Sequence, residues 1–403
     1  ICRAYSGNFI VPEQASGFGS QPGFSTMTPE PGEMRRMAMT SVARGADGVM
    51  FFRWRPAHFG AEIYWMGVID HDDVPRRRYD EASRFFHEIA AAKEQILGTA
   101  VRMDLGIAGA DFDNQEAHKT YPIGLPSPLE DATLLHRHCY QNGIACGFIH
   151  PEDDLSRLKA LYVPHWVMWK DEWNEAVETF VRNGGTLILS ALSATRDENN
   201  HIIREQAPGK ALAALSGVRV AEFGRVVPEG GSGLFSLFRP APMGAYAPPP
   251  LPASSAERKY LFTLGNEEFQ AAHLYEVLDV APDTEVLGIW SNRFAAGSPA
   301  ITARKVGQGR VVYVGTYLTP QLTEKLVDVV LAKAGIAPLL PDLPAGVEVS
   351  VREADDRRLM FVLNTTEVAV IVPNVPKGLD LLTGKAVEGT LQLDPYGCAI
   401  TRS

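Results

Sequence analysis

Cysteine is scarce in this chain: four in 403 residues, at positions 2, 139, 146 and 398, with no CxxC pair among them. A disulfide framework would be denser, so reduced thiols and a cytoplasmic setting are the expectation. No His/Cys cluster has zinc-ligand spacing, and neither a metal nor a cofactor is expected. Nowhere do about 18 apolar residues run together, so no membrane span is expected. Basic excess is missing too: 38 Lys and Arg stand against 48 Asp and Glu, for a net charge of −10. A nucleic-acid surface needs a basic stripe to displace counterions, so no nucleic-acid partner is expected and a neutral small molecule fits better. There is no internal repeat and no low-complexity tract. The chain opens on Ile1, and residues 8–11 already have the pattern of a buried strand with no cap or leader before them. That pattern suggests a fragment of a longer protein.

What is present is ordinary globular material, 45% hydrophobic and 21% charged, enough for about two to four domains. Three regions separate on pattern. Residues 1–98 hold a short strand (9–11), a Gly/Ser/Pro-rich loop, a helix over 33–44, a strand over 48–54 and a helix over 80–95. Met34, Met37, Ala38 and Val42 fall near helical spacing, and Gly45 stands where a helix end favours a left-handed residue. Strand, helix, strand, helix is the order of consecutive β/α units, and two units are too few for a closed barrel.

Residues 99–337 alternate strands (101–108, 144–149, 160–163, 186–189, 284–289, 310–314) with helices (128–142, 171–183, 320–335). The pattern is that of a doubly wound, flavodoxin-like α/β domain. The Gly/Pro/Ser/Ala-rich stretch 226–256 is expected as a surface loop. Residues 338–403 show only short strands (347–352, 359–364, 368–372, 389–393, 398–401), the signature of a small antiparallel β-sandwich.

Chemistry concentrates in the first region. Glu13 follows Val11-Pro12 at the carboxyl end of a strand, before the flexible loop Ala15-Ser16-Gly17-Phe18-Gly19-Ser20. In a parallel barrel that end carries the active site, and a carboxylate there can attack an anomeric carbon. A lone Glu at a strand end is far more often a solvated surface residue. The next strand ends in Phe51-Phe52-Arg53-Trp54-Arg55. Alternation puts Phe51, Arg53 and Arg55 on one face and Phe52 and Trp54 on the other. Arginine can hold a carboxylate ionised, and aromatic faces stack on sugar rings; a buried ion pair that only braces the strand end is the plain alternative. Glu62, with Tyr64 and Trp65, lies just beyond, suited either to sugar hydroxyls or to a lid edge.

The runs Phe9-Ile10-Val11-Pro12-Glu13-Gln14, Pro31-Gly32, Ala43-Arg44-Gly45-Ala46-Asp47-Gly48-Val49-Met50-Phe51-Phe52-Arg53-Trp54-Arg55 and Gly60-Ala61-Glu62 resemble, in order and spacing, the last two barrel units of glycoside hydrolase family 42. The resemblance implies the end of a (β/α)8 barrel over 1–98. It further implies a Rossmann-like trimerisation domain over 99–337, similar in fold to class I glutamine amidotransferases, and a small β-sandwich over 338–403. Glu13 would be the nucleophile and Glu62 the ligand of sugar hydroxyls. Phe52, Arg53, Phe18 and Trp65 would line the pocket. Where the family carries a Trp shortly after the nucleophile, this chain has Ser20, Gln21 or Pro22, with Phe18 and Phe24 nearby. Where it commonly has His beyond the substrate-binding Glu, Trp65 stands. The family's acid/base Glu belongs to an earlier strand, so this segment alone is expected to be inactive.

The implied function is retaining exo-hydrolysis of terminal β-D-galactosyl or related pyranosyl residues by a homotrimer. The alternative is an inactive carbohydrate-binding or oligomerisation scaffold. A thiol enzyme in the middle region would need a Cys on a strand-to-helix turn beside His and Glu. Cys146 instead sits within a strand pattern and Cys139 within a helix, so both are expected to be buried and structural. His136 and His138, two residues apart on a helix, face apart and make no ligand pair.

Overall fold

The computed structural model of the chain describes residues 1–109, 111–119, 125–226 and 259–403. All but the first residue of the 226–256 stretch therefore lies outside the described residues. Two compact units result. One comprises residues 2–103, 139–146 and 338–403; the other comprises residue 1 with 104–138 and 147–337.

In the unit that carries Glu13, strand Ile10–Ala15 runs parallel to strand Gly48–Phe52. Helices Glu33–Ala43 and Arg77–Ile96 follow these strands in turn, giving two consecutive β/α units. The first helix has no side-chain cap of its own. Its orphan amides are met from the second helix: the Glu81 carboxylate accepts from Gly32 N (3.0 Å) and Arg35 N (2.8 Å). A buried carboxylate at that end also suits the helix dipole. Arg35 is then fixed by a forked pair to Glu88, Nε–Oε2 2.5 Å and NH2–Oε1 2.9 Å. At the other end Gly45, with φ 93°, turns the chain back, its N–H reaching Val42 O, as the residue type predicts.

Residues 338–403 complete this unit's core. Along strand Arg357–Asn364 the side chains alternate. Leu359, Phe361 and Leu363 pack with Ala38, Met39, Phe85 and Ile96 of the helices. Met360 and Val362 turn the other way, onto Val349, Val372 and Leu393. The strand belongs to a six-stranded sheet, covered on that second face by the pair Val370–Pro373 and Thr390–Leu393. The two short strands Gly378–Asp380 and Ala386–Val387 also belong to it, though the sequence pattern did not register them. The neighbouring strand Val347–Ala354 alternates Val347, Val349 and Val351 with Glu348, Ser350 and Arg352, and all six are buried. Its polar face is satisfied internally rather than by water. Glu348 accepts from Thr40 Oγ1 (2.9 Å), Arg44 Nε (2.9 Å) and Tyr140 OH (3.1 Å), while Arg352 donates to Val42 O and Thr99 O. Burial, with the Glu348 charge next, pushes the Tyr140 hydroxyl up to about 12.

In the other unit, strands Leu105–Ile107, Ala160–Val163, Thr186–Ser190 and Gly309–Val314 run parallel. With Cys146–Phe148 at the edge, the order is 2-1-3-4-5, the flavodoxin arrangement. Every residue of Ala160–Val163 and Thr186–Ser190 is buried, as parallel strands covered on both faces require. The turn into Thr186–Ser190 uses Gly184 at φ 114° and Gly185, where a Cβ would meet the Phe180 ring at 2.4 Å.

Three expectations change here. The expected strand 101–108 is two strands: Ala100–Val101 joins the six-stranded sheet and Leu105–Ile107 the parallel one. The intervening Asp104 carboxylate is held by Lys159 at 3.1 Å. Beside the expected strand near 284–289 stand Val218–Arg225, Leu261–Leu264, Glu267–Gln270, Ala272–Val280 and Pro299–Val306, all in antiparallel pairings. Within Ala272–Val280 the buried Glu276 stands where alternation calls for an apolar side chain, which weakens the strand signal in sequence. The helix expected over 320–335 is α-helical only for Pro320–Leu326, after which Val327–Leu331 widens into a π turn.

Candidate active site

Glu13 lies inside a strand rather than after one. Ile10 and Val11 pair with Gly48 and Val49, but the next partners are Gln14 with Phe51 and Ala15 with Phe52. Three steps on one strand therefore match two on the other, and Pro12 and Glu13 form a bulge. Proline has no N–H to give the ladder, and a bulge re-aims the side chains it carries. Glu13 is exposed while Gln14 beside it is buried. Among the described residues the Glu13 carboxylate has no hydrogen-bond or ion-pair partner. A carboxylate held in a strand yet structurally unused is free for chemistry.

The loop after it, expected to be flexible, is tied down. Ser16 is buried, and its Oγ donates to Phe52 O at 2.7 Å, with Met66 O at 3.0 Å and Arg53 O at 3.2 Å. Backbone bonds run from Met66 N to Phe18 O and from Val68 N to Arg53 O. The segments after both strands are thereby laced to the loop that carries Glu62 and Trp65.

The side chains sort differently from simple alternation, because the second strand ends at Phe52. Phe51 goes into the core, edge-on to Phe85 and Phe86. Arg53 instead lies over the Phe52 ring, 4.5 Å from its centroid, and its guanidinium pairs with Glu62. Arg55 leaves that face altogether to hold Asp73 at the surface through two 3.0 Å bonds. Neither arginine pairs with Glu13.

Phe52 meets Trp65 edge to face at 6.2 Å, and Trp65 stacks on Phe24 at 6.0 Å and 18°. Phe18, Phe52, Arg53, Glu62 and Trp65 are all half-buried. Contacts link Phe52 with Arg53, Glu62 and Trp65, and Phe18 is joined to the same loop through its backbone. In the sequence Phe24 stands out only as an aromatic near the place of the family's Trp, and Ser16 and Asp73 are not marked as site residues. Only the Pro22-Gly23 turn beside Phe24 offered a local hint.

Other chemistry-bearing groups are structural. Cys139 and Cys146 are buried, as their patterns implied. Among the described residues no three His, Cys, Asp or Glu gather as metal ligands, and no helix is long and apolar enough to cross a membrane. Ser190, His165 and Asp131 do form a chain: Ser190 Oγ lies 3.3 Å from His165 Nδ1, and His165 Nε2 lies 2.7 Å from Asp131. No substrate reaches it, because Ser190 is 0% and His165 1% exposed. The Ser190 hydroxyl is also consumed by His165 N (2.6 Å) and Val163 O (3.2 Å).

Glu276, buried nearby, accepts from Leu192 N (2.9 Å) and Tyr313 OH (2.9 Å). Burial outweighs those bonds and raises its carboxyl from 4.5 to about 7. The folded state then keeps a proton that the unfolded chain releases. Stability is fully present below about 4.5 and falls as pH rises to about 7, by roughly 3 kcal/mol. Melting the Glu276→Gln protein at pH 5 and pH 8 should show that slope flattened; a slope like that of the parent would exclude Glu276 as its source.

Three family models cover most of the chain. Residues 1–92 match the β-galactosidase model of glycoside hydrolase family 42. Residues 111–234 and 250–337 match its β-galactosidase trimerisation domain, and residues 346–403 its β-galactosidase C-terminal domain. The chain belongs to glycoside hydrolase family 42. Among curated relatives, β-galactosidase LacZ of Heyndrickxia coagulans is 28% identical over 395 residues, 96% of this chain and 54% of that protein. β-Galactosidase BgaB of a Geobacillus strain is 28% identical over 400 residues, 98% and 54%. The chain spans about half the length of these relatives. In fold it is similar to β-galactosidase from Bacillus circulans sp. alkalophilus, with a TM-score of 0.84 at 24% identity, covering 98% of this chain and 55% of that one. It is also similar to the enzyme of the Antarctic haloarchaeon Halorubrum lacusprofundi, TM-score 0.78 at 22% identity, covering 100% and 54%.

Proposed function

We propose that this family 42 chain is part of a retaining exo-β-galactosidase, acting on terminal β-D-galactosyl or related pyranosyl residues, in which Glu13 is the nucleophile. The observation that carries the reading is the Glu13 bulge: an exposed, unpartnered carboxylate within a parallel strand pair, two residues before the position paired with Phe52, whose ring meets Trp65 and the Arg53 of the Arg53–Glu62 pair. The match to family models and to proteins named β-galactosidases supports the sugar.

In this reading the Glu13 carboxylate attacks the anomeric carbon as the glycosidic C–O bond breaks. The leaving oxygen takes its proton from a second carboxyl about 5 Å away, which we assign to a part of the protein outside this chain. Water, deprotonated by that same carboxylate, then attacks the anomeric carbon from the face the leaving group vacated, displacing Glu13 from the opposite face, so two inversions leave the configuration retained. Glu62 accepts hydrogen bonds from sugar hydroxyls. Arg53, clamped between the Phe52 ring and Glu62, orients it. The domain description over residues 111–337 supports a homotrimer, which light scattering of the whole protein would test.

The chemical test is rescue. Glu13→Gly in the whole protein should be nearly inactive on an aryl β-galactoside and regain turnover with azide, giving the α-galactosyl azide. Product of β configuration would refute the nucleophile role. Arg53→Met and Glu62→Gln should each raise KM by roughly ten- to a hundredfold, and the double variant should be little worse than either, since one interaction is lost in all three. Fully additive losses would separate the two residues' roles.

A further inference from the structure

The aromatic row beginning at Phe52 does not end in the pocket. Phe52 and Trp65 are half-buried, but Phe24, stacked on Trp65, is 51% exposed. The outermost of the three rings is thus the most exposed. Phe24 sits on a small hairpin, Ser20–Gln21 paired with Phe24–Ser25, that is built to be stiff. Its turn, Gln21-Pro22-Gly23-Phe24, has Gly23 at φ 81°, the residue order of a tight turn with proline leading. Its base is closed by Thr26 N to Gly19 O and Gly19 N to Thr26 Oγ1, both 2.8 Å. The hairpin also leans on the indole so closely that a Cβ on Gly19 would lie 2.8 Å from the Trp65 ring. A phenyl ring so placed keeps one face against Trp65 and presents much of the rest to solvent, at a standing hydrophobic cost.

An exo-acting pocket holds the terminal sugar innermost and the leaving group toward its mouth. Building on the reading of Glu13 as nucleophile, we infer that Phe24 is the platform for the leaving group, selecting β-glycosides whose aglycone is a flat apolar ring or the C–H face of a second pyranose. Rings at this rim gain by offset or edge contact, whereas a small aglycone such as methoxy has nothing to lay on it. Phe24 sets specificity and takes no part in bond making.

The experiment uses the whole protein carrying Glu13→Gln, titrated with phenyl β-galactoside and methyl β-galactoside while tryptophan fluorescence reports binding. Adding Phe24→Ala should weaken the phenyl glycoside roughly five- to tenfold and the methyl glycoside less than about twofold, and Phe24→Tyr should restore the difference. Equal weakening of both ligands, no weakening, or no binding of the phenyl glycoside before Phe24 is changed would each overturn the platform. A lowered melting temperature with an unchanged phenyl-to-methyl ratio would do the same, leaving Phe24 as packing for Trp65. Turnover by the protein with Glu13 intact separates the two readings. Hydrolysis without the Phe24-dependent ratio keeps the glycosidase and rejects the platform; the ratio without hydrolysis keeps the platform and rejects the glycosidase.

Discussion

Glu13→Gln in the whole protein is expected to lower kcat on an aryl β-galactoside by at least about a thousandfold while leaving the fold unchanged. The two halves of that expectation have separate causes. Glutamine keeps the shape of the side chain but lacks the carboxylate that must bond to the anomeric carbon, so the covalent path is closed. The fold is indifferent because Glu13 is exposed and contributes no hydrogen bond or ion pair to it. Most buried carboxylates in this unit are the reverse. Glu81 and Glu348 each hold two or more partners, and their loss would be read first in a melting curve. Activity within tenfold of the parent, with an unchanged melting temperature, would rule Glu13 out as nucleophile.

The largest stability effect is expected at the opposite kind of carboxylate. Glu88→Ala strips Arg35 of both bonds of its forked pair, and the Arg35 side chain is only 5% exposed. A guanidinium left there can neither reach water nor lose its proton. Removing one partner of such a pair costs about 3–5 kcal/mol, enough to lower the melting temperature of a unit this size by roughly 10 °C. The exposed bond from Arg84 to the same carboxylate adds little, since surface pairs are screened. Replacing both partners, as Arg35→Met with Glu88→Leu, should recover most of the loss because no charge remains buried. Calorimetry of the three proteins decides it. A single variant within about 1 kcal/mol of the parent would mean that Arg35 finds another partner, with Glu81 the nearest by its place on the same helix.

Much of the frame was legible in the residues. The helices over 33–43 and 77–96, the strand from Gly48, the run of parallel strands and the antiparallel strands from Val347 onward follow from apolar spacing and from glycine at their ends. Those signals are local, and local periodicity reports which face of an element is buried. The motif around Glu13 and Phe52-Arg53 was legible for the same reason, as a contiguous run. Where the pattern was weak, as at Ala272–Val280, an inward Glu276 had taken a position that alternation reserves for an apolar side chain.

By itself, then, the sequence revealed the two β/α units of the first region, the parallel strands of the middle region, the antiparallel strands from Val347 onward, and a short list of candidate site residues. Tertiary structure decided the pairings. The bulge that aims Glu13 exists only because Pro12 meets a strand nearly forty residues later. Arg53 chose Glu62 and Arg55 chose Asp73, although the two arginines are chemically identical in the sequence. Phe24 joined the aromatic row only once Trp65 lay beneath it. The physical reason is common to all three: a side chain's charge, size and hydrogen-bonding capacity are written in its own position, whereas its partner is set by the packing of segments far apart in the chain.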